Sequence, residues 1–262
     1  MEQKILTLLS DFGLSDVYVG VMKGVIAQVN PLIRVIDLTH QIPPQNIAAA
    51  QFNLLNAYPY FPAGTVHVAV VDPGVGGKRR AIALQLEDGF LVGPDNGLFT
   101  GFLTQRKILY AVELDQSEYW RSPNPSSTFH GRDIFASVGA YLANGIDIAS
   151  IGTPIEPDSL VQSSLPLCVP TTQGWLGKVQ YIDRFGNVIT NIPGDRVQGH
   201  TWKVQLGKTQ IPGCLTYGDV QPSQPLALIG SHGWVEIAVN NGDAQYQLRL
   251  HYGNPIQVTI LQ

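Results

Sequence analysis

Cysteine is scarce: the chain has two among 262 residues, Cys168 and Cys214, far apart and without CxxC or Cys/His spacing. That scarcity argues against a disulfide framework and against a zinc site. It leaves two small, semi-buried apolar side chains in a reducing compartment, and a cytoplasmic protein is the expectation. Charge is sparse too, at 14% of residues with a formal net of −4 and no basic run interleaved with aromatics. Nothing there fits a phosphate backbone, so nucleic acid is not an expected partner. Long apolar runs are also missing. The start, MEQKILTLLSDFG, holds an apolar stretch of only five residues before Asp11, too short for a signal peptide or a membrane span, and no membrane partner is expected. Asp11, Asp72, Asp95 and His130 lack HxH or HExxH spacing, so no metal is expected either.

What is present is a 44% apolar chain, long enough for one large domain or two modest ones with a real core. Up to about Gly152, apolar runs alternate with helical patterns. Strands are expected over Lys4–Ser10, Arg34–Leu38, Thr65–Val71, Ala81–Leu86, Gly89–Val92 and Ile108–Leu114, with the fourth and fifth forming a hairpin. Helices are expected over Val17–Val29, started by Ser15/Asp16, over Pro44–Tyr58 behind two prolines, over Gly97–Thr104 and over Asp133–Leu142. Such βαβ alternation predicts an α/β domain with a central, mostly parallel sheet in residues 1–160. Prolines at 154, 157, 166 and 170 among serines and threonines read as a linker, placed at residues 161–173. Beyond it, short alternating segments at Trp175–Ile182, Asn187–Ile192, Trp202–Leu206, Leu226–Ile229, Trp234–Val239 and Ile256–Ile260 predict a smaller, barrel-like all-β domain over residues 174–262.

Chemistry-bearing residues cluster where strands end. Asp11, in Ser10-Asp11-Phe12-Gly13, follows the first strand, where one carboxylate can accept two hydrogen bonds from a ribose diol; Asp16 reads as the cap of the next helix. The stretch VDPGVGGKRR after the third strand places Asp72 and Arg79 on either side of a glycine-rich loop that matches neither a P-loop nor GxGxxG. In STFHGRDIFA, His130 stands at a helix start, where the positive dipole end lowers an imidazole pKa. Asp72, Arg79 and His130 are the candidate catalytic set. Pro94-Asp95-Asn96-Gly97 reads as a structural turn, and for Arg132-Asp133 beside His130 a surface ion pair is an equally good reading. In the second part, Asp183-Arg-Phe-Gly-Asn187 sits between two strands. A hairpin turn explains Gly186 but not an exposed Phe185, and an aromatic beside the Asn187 amide suits an adenine ring.

Taken in order, SDFG, VDPGVGG-x-RR, GPDNGLF, TFHGRDIFA, DRFGN-x-x-TNI and GSHGWVEIAVNNGDA resemble the S-adenosyl-L-methionine hydroxide adenosyltransferase family, relatives of the fluorinases and chlorinases. The resemblance runs from end to end. It implies a hydrolase that splits S-adenosyl-L-methionine into adenosine and L-methionine by attack of water or hydroxide on ribose C5′, with no cofactor, in a homotrimer whose sites lie between subunits. By that resemblance Asp72, Arg79 and His130 handle the water, Asp11 takes the ribose diol, and Phe185 and Asn187 take adenine. Asp183 and Ser231 take the methionine amino and carboxylate groups. Gly131 stands where the fluorinase carries a serine in its halide pocket, and His232 and Val239 stand where halogenases carry arginines. Two alternatives remain at this level: a chloride-dependent halogenase acting on the same substrate, and a sensor that binds adenosine or S-adenosyl-L-methionine without turnover.

Overall fold

The structure is a computed structural model that describes residues 4–163 and 168–261. Residues 164–167, part of the expected linker, lie outside the described residues. The chain divides into two compact units, Met1–Ser163 and Ser164–Gln262.

In the first unit, strands β1 (Ile5–Ser10), β2 (Arg34–Thr39), β3 (Thr65–Val70), β4 (Ala81–Leu86), β5 (Gly89–Pro94), β6 (Ile108–Glu113) and β7 (Thr153–Pro154) form one sheet in the order β2-β1-β3-β5-β4-β6-β7. The pairs β2–β1, β1–β3 and β3–β5 are parallel, and β5–β4, β4–β6 and β6–β7 are antiparallel. The sheet is therefore mixed rather than mostly parallel. Two residues join β4 to β5, too few for a crossover, so they can only form a hairpin that reverses the strand direction. β3 is buried along its whole length, as a strand covered on both faces must be.

Helices α1 (Tyr18–Val29), α2 (Ile47–Ala57), α3 (Thr100–Gln105) and α4 (Ala136–Ala143) cover the sheet. In α1, Val19, Met22, Val25 and Ile26 supply the buried stripe, the spacing of a 3.6-residue turn. Asp16 does not cap it. The N-cap is Val17, and no side chain there accepts a first-turn amide. α2 starts later than the prolines indicate, because Gln45 adopts a left-handed backbone (φ 64°) and Asn46 caps the helix by accepting from the Ala49 amide. Ahead of α4, Gly131–Phe135 form a wide π-turn with His130 at its N-cap, a distortion found often at functional sites.

In the second unit, β8 (Val169–Thr171), β9 (Gly174–Ile182), β10 (Val188–Pro193), β11 (Thr201–Leu206), β12 (Thr209–Pro212), β13 (Pro225–Ile229), β14 (Trp234–Val239) and β15 (Pro255–Leu261) pair antiparallel along the path β12-β11-β15-β9-β10-β14-β13, with β8 on β9. A bridge between Gly213 and Ala227 and a bond from the Cys214 amide to the Ala227 carbonyl (2.7 Å) tie β12 to β13 and nearly close a barrel. Val179, Val188, Val204, Ile237 and Val258 are among the residues filling it. The one α-helix described here, α5 (Ala244–Leu248), is five residues long and capped by Asp243. No described helix is long and apolar enough to cross a membrane.

Among the titratable side chains buried in the first unit is a histidine of the central sheet. His67 on β3 is 1% exposed, its Nδ1 lies 2.8 Å from the Thr7 hydroxyl, and the rings of Tyr58 and Phe61 flank it. Burial lowers its pKa to about 4, with Asp88 opposing in part. An unfolded histidine takes its proton near 6.5, so the unfolded chain gains a proton below that pH while the folded chain stays neutral down to about 4. Stability therefore falls as pH drops through this window, and this group contributes no slope above it. Unfolding free energy from urea titrations is expected to fall by about 2 kcal/mol more in the native chain than in His67→Leu between pH 7 and pH 5. Parallel slopes for the two proteins would remove His67 as the cause.

Candidate functional site

β1 and β3 run side by side with Ser10 opposite Val70, so the segments leaving their carboxyl ends, which carry Asp11 and Asp72, emerge together. That edge is where open α/β sheets bind ligands. Asp72 begins a loop of tight turns, Val75 amide to Asp72 carbonyl and Gly77 amide to Gly74 carbonyl, and the loop returns Arg79 over its own start. The Arg79 guanidinium grips both carboxylate oxygens of Asp72, with Nε 3.0 Å from each and Nη2 on Oδ2. Both side chains are largely buried, at 11% and 5% exposure.

Nη2 of Arg79 also lies 2.7 Å from Nδ1 of His130. A guanidinium only donates, so Nδ1 must accept, and the ring is neutral with its proton on Nε2. Burial, then the Arg79 charge, lowers the His130 pKa, with Asp72 and Asp133 opposing in part. The three candidate catalytic residues thus form one connected cluster, and the phenyl ring of Phe135 lies beneath the guanidinium, 5.4 Å from its carbon.

The cluster borders a cleft of about 430 Å³ whose walls include Asp11, Asp72, His130 and Gly131. Phe12, Tyr18 and Phe129 make an apolar wall of mutually tilted rings, with centroids 5.3–6.0 Å apart. A β-carbon at Gly131 would sit 3.3 Å from both phenylalanine rings, so glycine lets that wall close. Asp11 faces the same cleft, and one of its oxygens accepts from the Gln45 amide (2.8 Å).

Several supporting residues were not legible as such in sequence. The turn Pro94–Gly97 is structural, and its place explains why: the Asn96 side-chain Nδ2 donates to the Val71 carbonyl (2.9 Å), one residue before Asp72. Arg80, adjacent to Arg79, is held by the buried Asp95. Arg132-Asp133 is not a surface pair. Asp133 is 1% exposed and takes both Arg132 nitrogens, with further bonds from Arg121 and the Ser126 amide. Burial opposes its ionisation, but those bonds outweigh burial and hold the carboxyl below its usual range. A carboxylate flanked by arginines in a loop otherwise poor in structure was the available signal.

In the second unit, Asp183, Phe185 and Asn187 share the β9–β10 hairpin. Asp183 accepts from the Phe185 and Asn187 amides and from the Asn187 side chain, each at 2.9 Å. Phe185 projects at 77% exposure beside the buried Asn187. Ser231 is exposed in the turn between β13 and β14. Next to it, His232 accepts from the Trp234 amide through Nδ1 (3.1 Å) and points Nε2 at the buried Glu236 (3.1 Å), whose other oxygen takes the Tyr217 hydroxyl. Burial, Glu236 and then Asp183 push the Tyr217 hydroxyl pKa up, so Asp183 acts on the same cluster. With Nδ1 accepting, His232 is a neutral donor to Glu236 and no substitute for an arginine cation. Val239 packs in the barrel core and offers nothing to a ligand. Cys168 and Cys214 are both free. Among the described residues, no three His, Cys, Asp or Glu side chains gather so as to hold a metal ion.

Gly76 is the tightest point of the Asp72–Arg79 loop. Its φ is +73°, and an added β-carbon would fall 2.1 Å from the Ser127 carbonyl oxygen. Gly76→Ala is expected to cost about 2 kcal/mol or more in urea unfolding. Gly74→Ala, whose added carbon would meet Arg79 at an ordinary 3.4 Å, should stay within about 1 kcal/mol. Equal losses would refute the steric account.

Sequence models described as the SAM hydroxide adenosyltransferase N-terminal and C-terminal domains match residues 6–152 and 177–257. The chain is 41% identical to the (R)-S-adenosyl-L-methionine hydrolase of Salinispora tropica, the alignment covering 97% of each. It is 40% identical to the protein of that name from Thermus thermophilus, over 95% of this chain and 97% of that one. A fluorinase from Actinopolyspora mzabensis is more distant, at 25% over 97% of each. Among solved structures, an uncharacterized conserved protein from Thermotoga maritima superposes with a TM-score of 0.91 at 36% identity, covering 97% of this chain and 99% of that one. With both domain models matched in order over most of its length, the chain belongs to the SAM hydroxide adenosyltransferase family.

Proposed function

We propose that this enzyme hydrolyses S-adenosyl-L-methionine to adenosine and L-methionine. The observation that carries the reading is the closed Asp72–Arg79–His130 cluster on the cleft that also presents Asp11. A sulfonium is already an activated leaving group, so the protein's task is to hold a water in line with the C5′–S bond and take up one proton. The water oxygen forms the bond to C5′, the C5′–S electron pair moves onto sulfur, and methionine departs as a neutral thioether. The attacking oxygen becomes an acidic oxonium as its bond to carbon forms, so a weak base suffices.

Roles follow from the protons. Arg79 only donates, and His130 has its Nδ1 occupied, leaving Nε2–H to donate to the water oxygen. Asp72, an anion with roughly four acceptor sites, receives the proton. Asp11 takes the ribose diol, and Gly131 leaves room for the nucleoside beside Phe12 and Phe129. In the second unit, Phe185 and Asn187 take adenine, the ring by stacking and the amide by its remaining oxygen. Asp183 and Ser231 take the methionine end, with Tyr217 and Glu236 close by. No cofactor enters this scheme. A homotrimer acting in the cytoplasm, with sites formed between subunits, completes the reading. Its support is that the water-handling groups and the adenine groups lie in different units, and that Phe185 is left exposed.

Incubation with S-adenosyl-L-methionine in ¹⁸O-labelled water is expected to give adenosine carrying the label, with or without chloride. A 5′-chloro nucleoside appearing with chloride would make the protein a halogenase, and bound but unchanged substrate would make it a sensor. Arg79→Lys keeps the charge but loses the fork, and kcat should fall roughly 100-fold or more while adenosine binding is retained.

The pH profile should follow His130. Its neutral form is the competent one and its pKa lies below 6.5, so activity should persist as pH falls through 6.5 and be lost only lower. An acid limb centred above 6.5 would overturn this assignment.

A further inference from the structure

Ser10, the last residue of β1, is 1% exposed, and His40, just after β2, is 3% exposed. The Ser10 hydroxyl lies 2.7 Å from His40 Nδ1 and accepts a bond from the Phe12 amide (3.3 Å). The His40 carbonyl accepts from the Gly13 amide (2.8 Å). Both ends of the segment 10–13 are thus tied to His40, with Asp11 between them. A break in the pairing of β1 with β2, where Leu8 faces Asp37 but Leu9 faces Thr39, brings His40 to the end of β1. On the other side of the ring, Nε2 lies 3.2 Å from an Asp37 oxygen, a close electrostatic contact not aligned as a hydrogen bond. The second Asp37 oxygen accepts from Lys23 (2.6 Å).

Serine, histidine and aspartate in a row invite comparison with a nucleophilic triad, but the ring is the wrong way round. A triad's serine meets Nε2 and its carboxylate meets Nδ1. Here the contacts are reversed, and Ser10 is buried. Burial opposes ionisation of Asp37, but Lys23 and His40 outweigh it and hold the carboxyl below its usual range. An ionised Asp37 favours the ring proton on Nε2. Nδ1 then accepts from the Ser10 hydroxyl, and the serine oxygen accepts from Phe12. An imidazolium would instead leave the buried serine proton without that acceptor.

We propose that His40 is a positioning residue for Asp11: through Ser10 and the Gly13 amide it fixes the loop that aims the Asp11 carboxylate at the ribose diol. The inference rests on the reading of Asp11 given under the proposed function. His40 itself touches no substrate. The Gln45 amide steadies Asp11 from one side, and the Lys23–Asp37–His40–Ser10 chain steadies the backbone on the other.

The test compares calorimetric binding of adenosine and of 2′,3′-dideoxyadenosine, which lacks the diol. His40→Leu is expected to weaken adenosine about tenfold and leave the dideoxy compound unchanged, because only the diol depends on the aim of Asp11. His40→Asn, whose side-chain oxygen can accept where Nδ1 does, should recover most of the loss. A general structural role would weaken both nucleosides alike, and that result, or no loss at all, overturns the proposal. Ser10→Ala breaks the same link with a smaller change, so the measurement stands even where His40→Leu does not fold. Equal binding of both nucleosides by the native chain would overturn the Asp11 reading and the relay with it. Native discrimination that survives intact in both variants would overturn the relay alone.

Discussion

Everything at the site hangs on one guanidinium. Arg79 holds Asp72 by both oxygens and presents a donor to His130 Nδ1. That single planar group sets the orientation of the carboxylate, the tautomer of the imidazole and the distance between them. Removing one partner of such a buried pair typically costs about 3–5 kcal/mol, because the other is left charged and desolvated. The surroundings are arranged accordingly. Asn96 fixes the backbone before Asp72, Asp95 anchors the residue after Arg79, and Phe135 supports the guanidinium from below. Asp133, gripped by two arginines, organises the loop that leads into His130.

The position of the cluster follows from the sheet. Among the described residues of the first unit, three strand pairs are parallel, and they involve β2, β1, β3 and β5. Asp11 and Asp72 leave the carboxyl ends of neighbouring members of that set, while the antiparallel half extends the sheet away from the site. A parallel edge gathers loops from different parts of the chain at one place, which is how residues 11, 72 and 130 come to share a cleft.

The elements with strong periodicity were readable from sequence. β1, α1, β3 and the barrel strands β10, β11 and β14 fall within a residue or two of their expected bounds, because their apolar residues repeat at strand or helix period. β7 and β8 are too short to show a pattern, and β12, Thr-Gln-Ile-Pro, buries one side chain in four. α5 is too brief for a helical period. Asp72 and Arg79 were legible as candidates because a plain turn explains the glycines between them but not the two charges that flank them, whereas His130 at a helix start has a structural explanation of its own. The supports were not, because Asn96, Asp95, Asp133 and His40 act through contacts with residues distant in sequence. His232 illustrates the same limit. It stands where halogenases carry an arginine, and only its contacts make it a neutral donor to Glu236.

On the proposed reading, the same proton arrangement bears on the choice of nucleophile. A water molecule in the cleft can accept from His130 Nε2–H and donate to Asp72, so its two kinds of hydrogen-bonding site meet one of each kind in the cluster. A halide can only accept. It would satisfy the imidazole but would face the Asp72 carboxylate across a short distance in a partly desolvated pocket, where like charges repel strongly. The Arg79 charge that could offset this is already engaged by Asp72 through both of its oxygens. Selectivity for water over an anion therefore needs no steric gate at Gly131: it follows from placing one donor and one anionic acceptor around the attacking atom.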